Sequence, residues 1–342
     1  MTQPSEPDHR PPLAGVFGRW EGRDLAPLVS LAVLVIFFTI AAPGFLKPAS
    51  LVAMLKQGSV LAIVAVGMTY VLLCAEIDLS VGMVALWSAC FCGWLFEHLA
   101  MAPGGTDMGP WWMIAAVILI PLATALLLGL ISGVLTVWAR MPSFIITLAM
   151  MFIAEGASKY LTKGKMFHVP DLLCSIGNEG LRFGGRTILP YSAMLAAAVL
   201  LVGHLVLQHT RFGRYVYMTG GNREAARLAG VRTGLIVVAC LAICAVTAGL
   251  GGLVNAGRMT NVTLDQNKDL LLSAVACVVL GGTSLFGGEG SMGKTLVGVL
   301  TFTVLNVGLM QINWIDDLAR QLLTGVVLMV ALVINGVLAK GR

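Results

Sequence analysis

The chain has 342 residues, of which 58% are hydrophobic and only 11% charged, with 22 Lys and Arg against 17 Asp and Glu. A soluble domain carries about 25% charged residues, and a water-facing globule of this length needs far more polar surface. Composition therefore excludes a soluble enzyme, a disordered chain and a secreted disulfide scaffold.

Residues 1–24 form a polar tail containing Pro and Arg, without the apolar stretch of a signal peptide. The first span is expected to stay in the mature protein, with this tail in the cytoplasm. Charge-free runs follow at 25–46, 57–75, 79–96, 111–139, 187–210, 233–257, 270–288, 295–315 and 321–339. Each is long enough to cross a bilayer. A tenth run, 141–154, reaches spanning length only if Glu155 lies within the membrane or near its face. The pattern predicts an all-α polytopic membrane protein, with about ten transmembrane helices over 25–339 and a cytoplasmic tail at 340–342. The 40 glycines fit close helix packing in lipid.

Two connections are long. With the N-terminus inside, 156–189 faces outside and 209–232 the cytoplasm. Basic residues divide twelve inside to ten outside, a weak bias, but the 209–232 loop holds five Arg and a single acid. No long basic block points to nucleic acid. Of seven Cys, all but Cys174 lie in apolar stretches, and no Cys-x-x-Cys or His-x-x-x-His pair offers a metal site.

Within 209–232, Gly220 and Gly221 can break a preceding helix, and Asn222 is a good N-cap. Arg223, Glu224, Ala225, Ala226 and Arg227 favour a short helix, with Glu224 in its first turn and Gly230 suited to its end. Ala225, Ala226 and Ala229 give a thin side that another protein can approach. Arg223 and Arg227 are placed to meet a carboxylate. The same pattern also suits an interfacial helix without a partner. Gly288–Thr295 fits G-x-x-x-x-G-K-[ST] literally, but a P-loop needs a strand before it and a nucleotide domain around it. An apolar span precedes it here, so it reads as a glycine-rich turn between helices. Polar residues in or near the spans are Glu76, Asp78, Ser80, Glu155, Asn255, Asn306 and Gln311. Asp78, Ser80, Glu155, Asn255 and Asn306 are candidates for a translocation pathway. Their other use is hydrogen bonding between helices. No catalytic motif appears, which leaves an enzymatic role without support.

Several of these stretches together resemble one family. Ile77-Asp-Leu-Ser-Val-Gly82, Met141-Pro-Ser-Phe-Ile-Ile-Thr-Leu148, Phe212-Gly-Arg214 with Gly220–Gly230, and Leu280-Gly-Gly-Thr-Ser-Leu285 with Gly287-Gly-Glu-Gly-Ser291 occur in order. Over about residues 44–338 the chain resembles the permease subunits of ribose-type ABC sugar importers, a binding-protein-dependent inner-membrane family. The resemblance implies a pathway between two permease subunits, the second a copy or a homologue, surrounded by membrane lipid. It implies a cytoplasmic ABC ATPase that binds ATP and Mg, with no cofactor in this chain, and a periplasmic sugar-binding protein. Glu224–Gly230 matches the Glu-Ala-Ala-x-x-x-Gly coupling motif, so 222–229 would seat in the ATPase. The chain departs from the family pattern where Ala75-Glu76 replaces Gly-Gly, where Lys294 replaces a glycine, and at Asp269–Ala274. Ionisable residues deep in spans, the mark of an ATP-independent secondary transporter or channel, are few. A membrane scaffold without flux is the third reading.

Overall fold

The computed structural model describes residues 25–100, 111–184, 186–312, 316, 319–320, 322–326 and 329–330. Its helices are α1 (Leu25–Ala41), α2 (Pro48–Leu73), α3 (Val81–Leu95, prolonged by a π turn Phe96–Ala100), α4 (Trp111–Ala139), α5 (Ser143–Thr162), α6 (Asp171–Asn178), α7 (Tyr191–His209), α8 (Arg211–Gly221), α9 (Arg223–Leu228), α10 (Thr233–Met259), α11 (Leu270–Leu280) and α12 (Met292–Met310). Two short antiparallel pairs complete them: β1 (Phe167–His168) with β4 (Asn261–Val262), and β2 (Gly180–Phe183) with β3 (Arg186–Pro190).

The protein is all-α in its spanning part. Among the described residues seven helices are long and apolar enough to cross a membrane, namely α2, α3 with its extension, α4, α5, α7, α10 and α12. The apolar helices α1 and α11 are shorter. Nine of the ten predicted runs therefore carry an apolar helix. The tenth, 321–339, lies largely outside the described residues, as do the tails 1–24 and 340–342. The short run 141–154 gains its length because α5 continues through Glu155, whose carboxylate is neutralised one turn on by Lys159 at 2.6 Å.

α10 occupies the centre and packs on α2, α3 and α4. The contacts are backbone-close because glycine lets them be. A Cβ on Gly67 would lie 2.6 Å from Cys244 Cα, and one on Gly252 2.1 Å from Ala85 O. Without a hydrophobic force between helices in lipid, such close packing supplies the attraction. Outward faces of α1, α4, α5 and α7 expose Ile40, Trp138, Phe152 and Val202, as a lipid-facing surface does. Six of the seven cysteines are buried and none is in a disulfide.

The connections gather at two ends. At one, the α2–α3 break (Cys74–Ser80), the start of α5, α8, α9 and the α11–α12 turn (Gly281–Ser291) meet. Gly288 N donates to Leu73 O at 2.9 Å, Tyr217 Oη to Gly290 O at 2.8 Å, and Ile77 N to Ser143 Oγ at 3.0 Å. At the opposite end, the described residues of 156–189 form a structured cap rather than an open loop. Phe167 pairs with Val262, Asn178 Nδ2 donates to Gly257 O at 3.0 Å, and Lys56 Nζ donates to Asn178 O at 2.5 Å.

Two connections correct the sequence reading. The run 270–288 is not a full span, because helix α11 ends at Leu280 and Gly281–Ser291 is a turn. Eleven residues rise about 16 Å, roughly half the hydrocarbon thickness. The end of α11 is pinned beside α12, where a Cβ on Gly281 would meet Lys294 O at 2.0 Å. Its start therefore lies near mid-depth. Asn267, just before it, packs on α3, with its carbonyl 3.0 Å from a Cβ placed on Gly82. Residues 263–269 thus re-enter the bundle. The second is 209–232, where the expected short helix is present as α9 but a further helix, α8, fills the stretch before it.

Candidate functional site

α9 forms as its local chemistry dictates. Asn222 is extended (φ −155°) and its Oδ1 accepts from Ala225 N at 2.9 Å. Glu224 lies in the first turn, where the helix dipole favours an acid. At the other end Gly230 adopts φ +83°, and Val231 N reaches back to Ala226 O at 3.0 Å. Ala226 and Val231 are both buried, the apolar contact that accompanies this kind of helix stop.

The rest of α9 is open. Glu224, Ala225, Arg227, Leu228 and Ala229 are exposed, and Leu228 is 82% exposed. Ala226 corrects the expected thin side, because it faces inward and only Ala225 and Ala229 are free for a partner. Arg227 lies 3.7 Å from Glu224, a loose surface pair. Arg223 does meet a carboxylate, but one in the same chain: its Nη2 is 2.5 Å from Glu76 Oε1. Gly220 and Gly221 end the preceding helix, as expected. They are the last two residues of α8, and the break falls at Asn222.

The α2–α3 break holds two of the proposed pathway residues. Asp78 is buried and its Oδ1 accepts from Ser80 N at 2.9 Å and Ser80 Oγ at 2.6 Å. The backbone of the break is satisfied by side chains of α5, with Leu79 N donating to Thr147 Oγ1 at 3.0 Å. α2 ends with Ala75 in the left-handed region (φ +59°) and Glu76 N bonded to Val71 O at 3.1 Å.

Asn255 and Asn306 line a different place, a cavity of about 660 Å³. It lies between the far halves of α2, α10 and α12, the re-entrant segment and the start of α11. Asn255 Nδ2 donates to Asn267 Oδ1 at 2.8 Å, and its Oδ1 accepts from Arg258 Nη2 at 3.1 Å. Gln266 Nε2 donates to Asn255 O at 3.2 Å. Asn267 is 1% exposed, and among the described residues its Nδ2 has no partner, nor has Gln266 Oε1. Gln57, Asp265 and Asp269 also reach this cavity.

The predicted pathway residues therefore fall in three places rather than one. Asp78 and Ser80 bond each other in the break, Asn255 and Asn306 share the cavity, and Glu155 pairs with Lys159 on α5. Glu155 is not among the residues lining the cavity. Sequence reasoning missed Arg258, which lies in the last turn of α10 just past the charge-free run, and Gln266 and Asn267, which stand in a connection read as an ordinary loop. In the P-loop-like stretch, Ser291 caps α12 by accepting from Lys294 N at 3.2 Å. A helix, α11, stands where a P-loop requires a strand.

The family described as "Branched-chain amino acid transport system / permease component" matches residues 50–332. The ribose import permease protein RbsC of Escherichia coli K12 is 32% identical over 314 residues, 90% of this chain and 92% of that protein. RbsC of Bacillus subtilis 168 is 32% identical over 91% of this chain and 92% of its own length. The fructose import permease protein FrcC of Rhizobium meliloti is 27% identical over 90% and 84%. No solved structure matches. With its apolar helical bundle and a family match over most of its length, the chain belongs to this permease family and is the membrane permease component of an ATP-binding-cassette importer.

Proposed function

We propose that the chain forms the import pathway for a sugar or sugar-like solute, driven by a partner ATPase that docks on α9. The observation that carries the docking reading is α9 itself. It is a short helix stopped at both ends, anchored by buried Ala226, and exposed along Glu224, Ala225, Leu228 and Ala229. Phe286, 90% exposed on the turn that contacts α8, adds a second apolar contact point at the same end. This end is assigned to the cytoplasm, with both termini, and the 156–189 cap to the periplasmic face that receives a sugar-binding protein. ATP and Mg belong to the partner, and a second permease copy or homologue completes the pathway.

The cavity supports a neutral polyhydroxylated solute. Its amides from Asn255, Gln266, Asn267, Asn306 and Gln57 offer both donors and acceptors, which suit hydroxyl groups. Its floor at mid-depth, beside the start of a half-length helix, has the arrangement that membrane transporters use for solute binding. Asn255 and Asn306 belong to this pathway, while Asp78 and Ser80 shape the α2–α3 break below it. Gly220 lets α8 pack closely against α2, Gly221 ends α8, and Asn222, Arg223 and Gly230 fix the orientation of α9.

The test is Glu224→Lys in the complete transporter. Loss of ATPase co-purification and of ATP-dependent sugar uptake supports the reading. Equal uptake with and without ATP and the ATPase would instead favour an ATP-independent secondary transporter or channel, and no flux at all a scaffold.

A further inference from the structure

Arg223 is the first residue of α9, where a cation opposes the helix dipole. Its placement is therefore not explained by the helix. Its guanidinium turns away from the exposed side of α9 and enters the α2–α3 break, donating to Glu76 Oε1 at 2.5 Å and to Cys74 O at 3.4 Å. The Glu76 side chain is 8% exposed and the Arg223 side chain 48%. Glu76 is thus a buried carboxylate whose countercharge comes from a helix 147 positions away. A buried carboxylate stripped of its partner is strongly unfavourable, so the two groups are expected to move together.

The break that Glu76 belongs to is jointed on its other side as well. Ile77 N and Leu79 N bond to Ser143 and Thr147 of α5, and Asp78 holds Ser80 at the start of α3. A shift of α9 therefore has a direct side-chain route, through one ion pair, into the junction of three spanning helices.

We propose that Arg223 and Glu76 are positioning residues that transmit displacement of α9 to the α2–α3 break and so couple nucleotide turnover to the pathway. This inference rests on α9 being the ATPase dock. The experiment uses the complete transporter in liposomes, in a Cys174→Ser background, the other cysteines being buried. Spin labels are placed singly at Leu228→Cys on α9 and at Ile77→Cys in the break, positions 82% and 39% exposed. Spectra are compared before and after trapping with ATP, Mg and vanadate. In the parent both labels are expected to respond.

With Glu76→Gln or Arg223→Gln, the response at 228 should persist and that at 77 fall at least about fivefold, the change expected for loss of roughly one favourable kcal/mol of interaction. The charge-reversed pair, Glu76→Arg with Arg223→Glu, should restore the response at 77. Glu76→Gln is the decisive variant, since it leaves only a half-exposed guanidinium that water can solvate and so spares the fold. An undiminished response at 77 in Glu76→Gln, with 228 still responding, overturns the link and leaves the dock standing. A silent label at 228 in the parent overturns the dock and the link with it.

Discussion

Gly220 and Gly221 are adjacent residues in the last turn of α8, yet their alanine variants should behave in opposite ways. A Cβ on Gly220 would lie 1.8 Å from Leu73 O and 2.9 Å from Gly288 N. Both are backbone atoms at the end of α2 and in the α11–α12 turn, so neither can swing aside. Relieving the clash means moving three elements, an overpacking cost of about 1–3 kcal/mol. It also strains the bond from Gly288 N to Leu73 O, 2.9 Å long and contributing about 1 kcal/mol. Gly220→Ala should thus destabilise by about 2–4 kcal/mol. A Cβ on Gly221 meets nothing within 4 Å. Gly221→Ala should be neutral or stabilising by up to about 1 kcal/mol through helix propensity. Thermal unfolding of the detergent-purified chain measures both. Gly220→Ala should lower the midpoint by about 3–6 °C, and Gly221→Ala should not lower it. Equal losses in the two, or a greater loss at Gly221, would refute the packing described for this end of the bundle.

Other variants test other parts. Ala75→Gly places glycine at a left-handed position whose cost to alanine is about 1–2 kcal/mol, partly offset by chain entropy, so it should raise stability by up to about 1 kcal/mol in the same unfolding assay. Lys294→Ala should leave nucleotide binding by the isolated permease at the parent's background level in a filter-binding assay, since Ser291 serves as a helix cap and α11 precedes the turn. Asn255→Leu removes the partner of both buried Asn267 and Arg258. It should cut ATP-dependent solute uptake at least about tenfold, the worth of roughly 1.4 kcal/mol, while ATPase co-purification persists. Glu155→Gln breaks only a partly exposed pair one turn apart, and uptake should stay within about twofold.

What the sequence made legible was what local chemistry or composition decides. Charge-free runs located nine apolar helices, because a charge in hydrocarbon is too costly to place casually. The limits of α9 could be read from Asn222 and Gly230, since an N-cap and a left-handed stop involve only neighbours within a turn. Arg223 was recognised as a residue seeking a carboxylate, but its partner stands far back in the chain, and no local pattern records such a contact. The half-length α11 was misjudged because Gly281–Phe286 carries no charge, and hydropathy does not separate an apolar turn from an apolar helix. The cavity escaped for the same reason: Asn267 becomes a pathway candidate only when the chain folds back to Gly82. Of the polar residues singled out, Asn255 and Asn306 proved to share a site, and Glu155 lies apart from it.

Photo-crosslinking from position 228 in intact membranes reads out what docks on α9. An unnatural photoreactive residue replacing Leu228, 82% exposed, projects from the outer side of α9. An adduct with the ATPase subunit is expected, one that Glu224→Lys abolishes. An adduct with a periplasmic protein, or none with the ATPase while the same membranes still import solute at the expense of ATP, would contradict the ATPase dock.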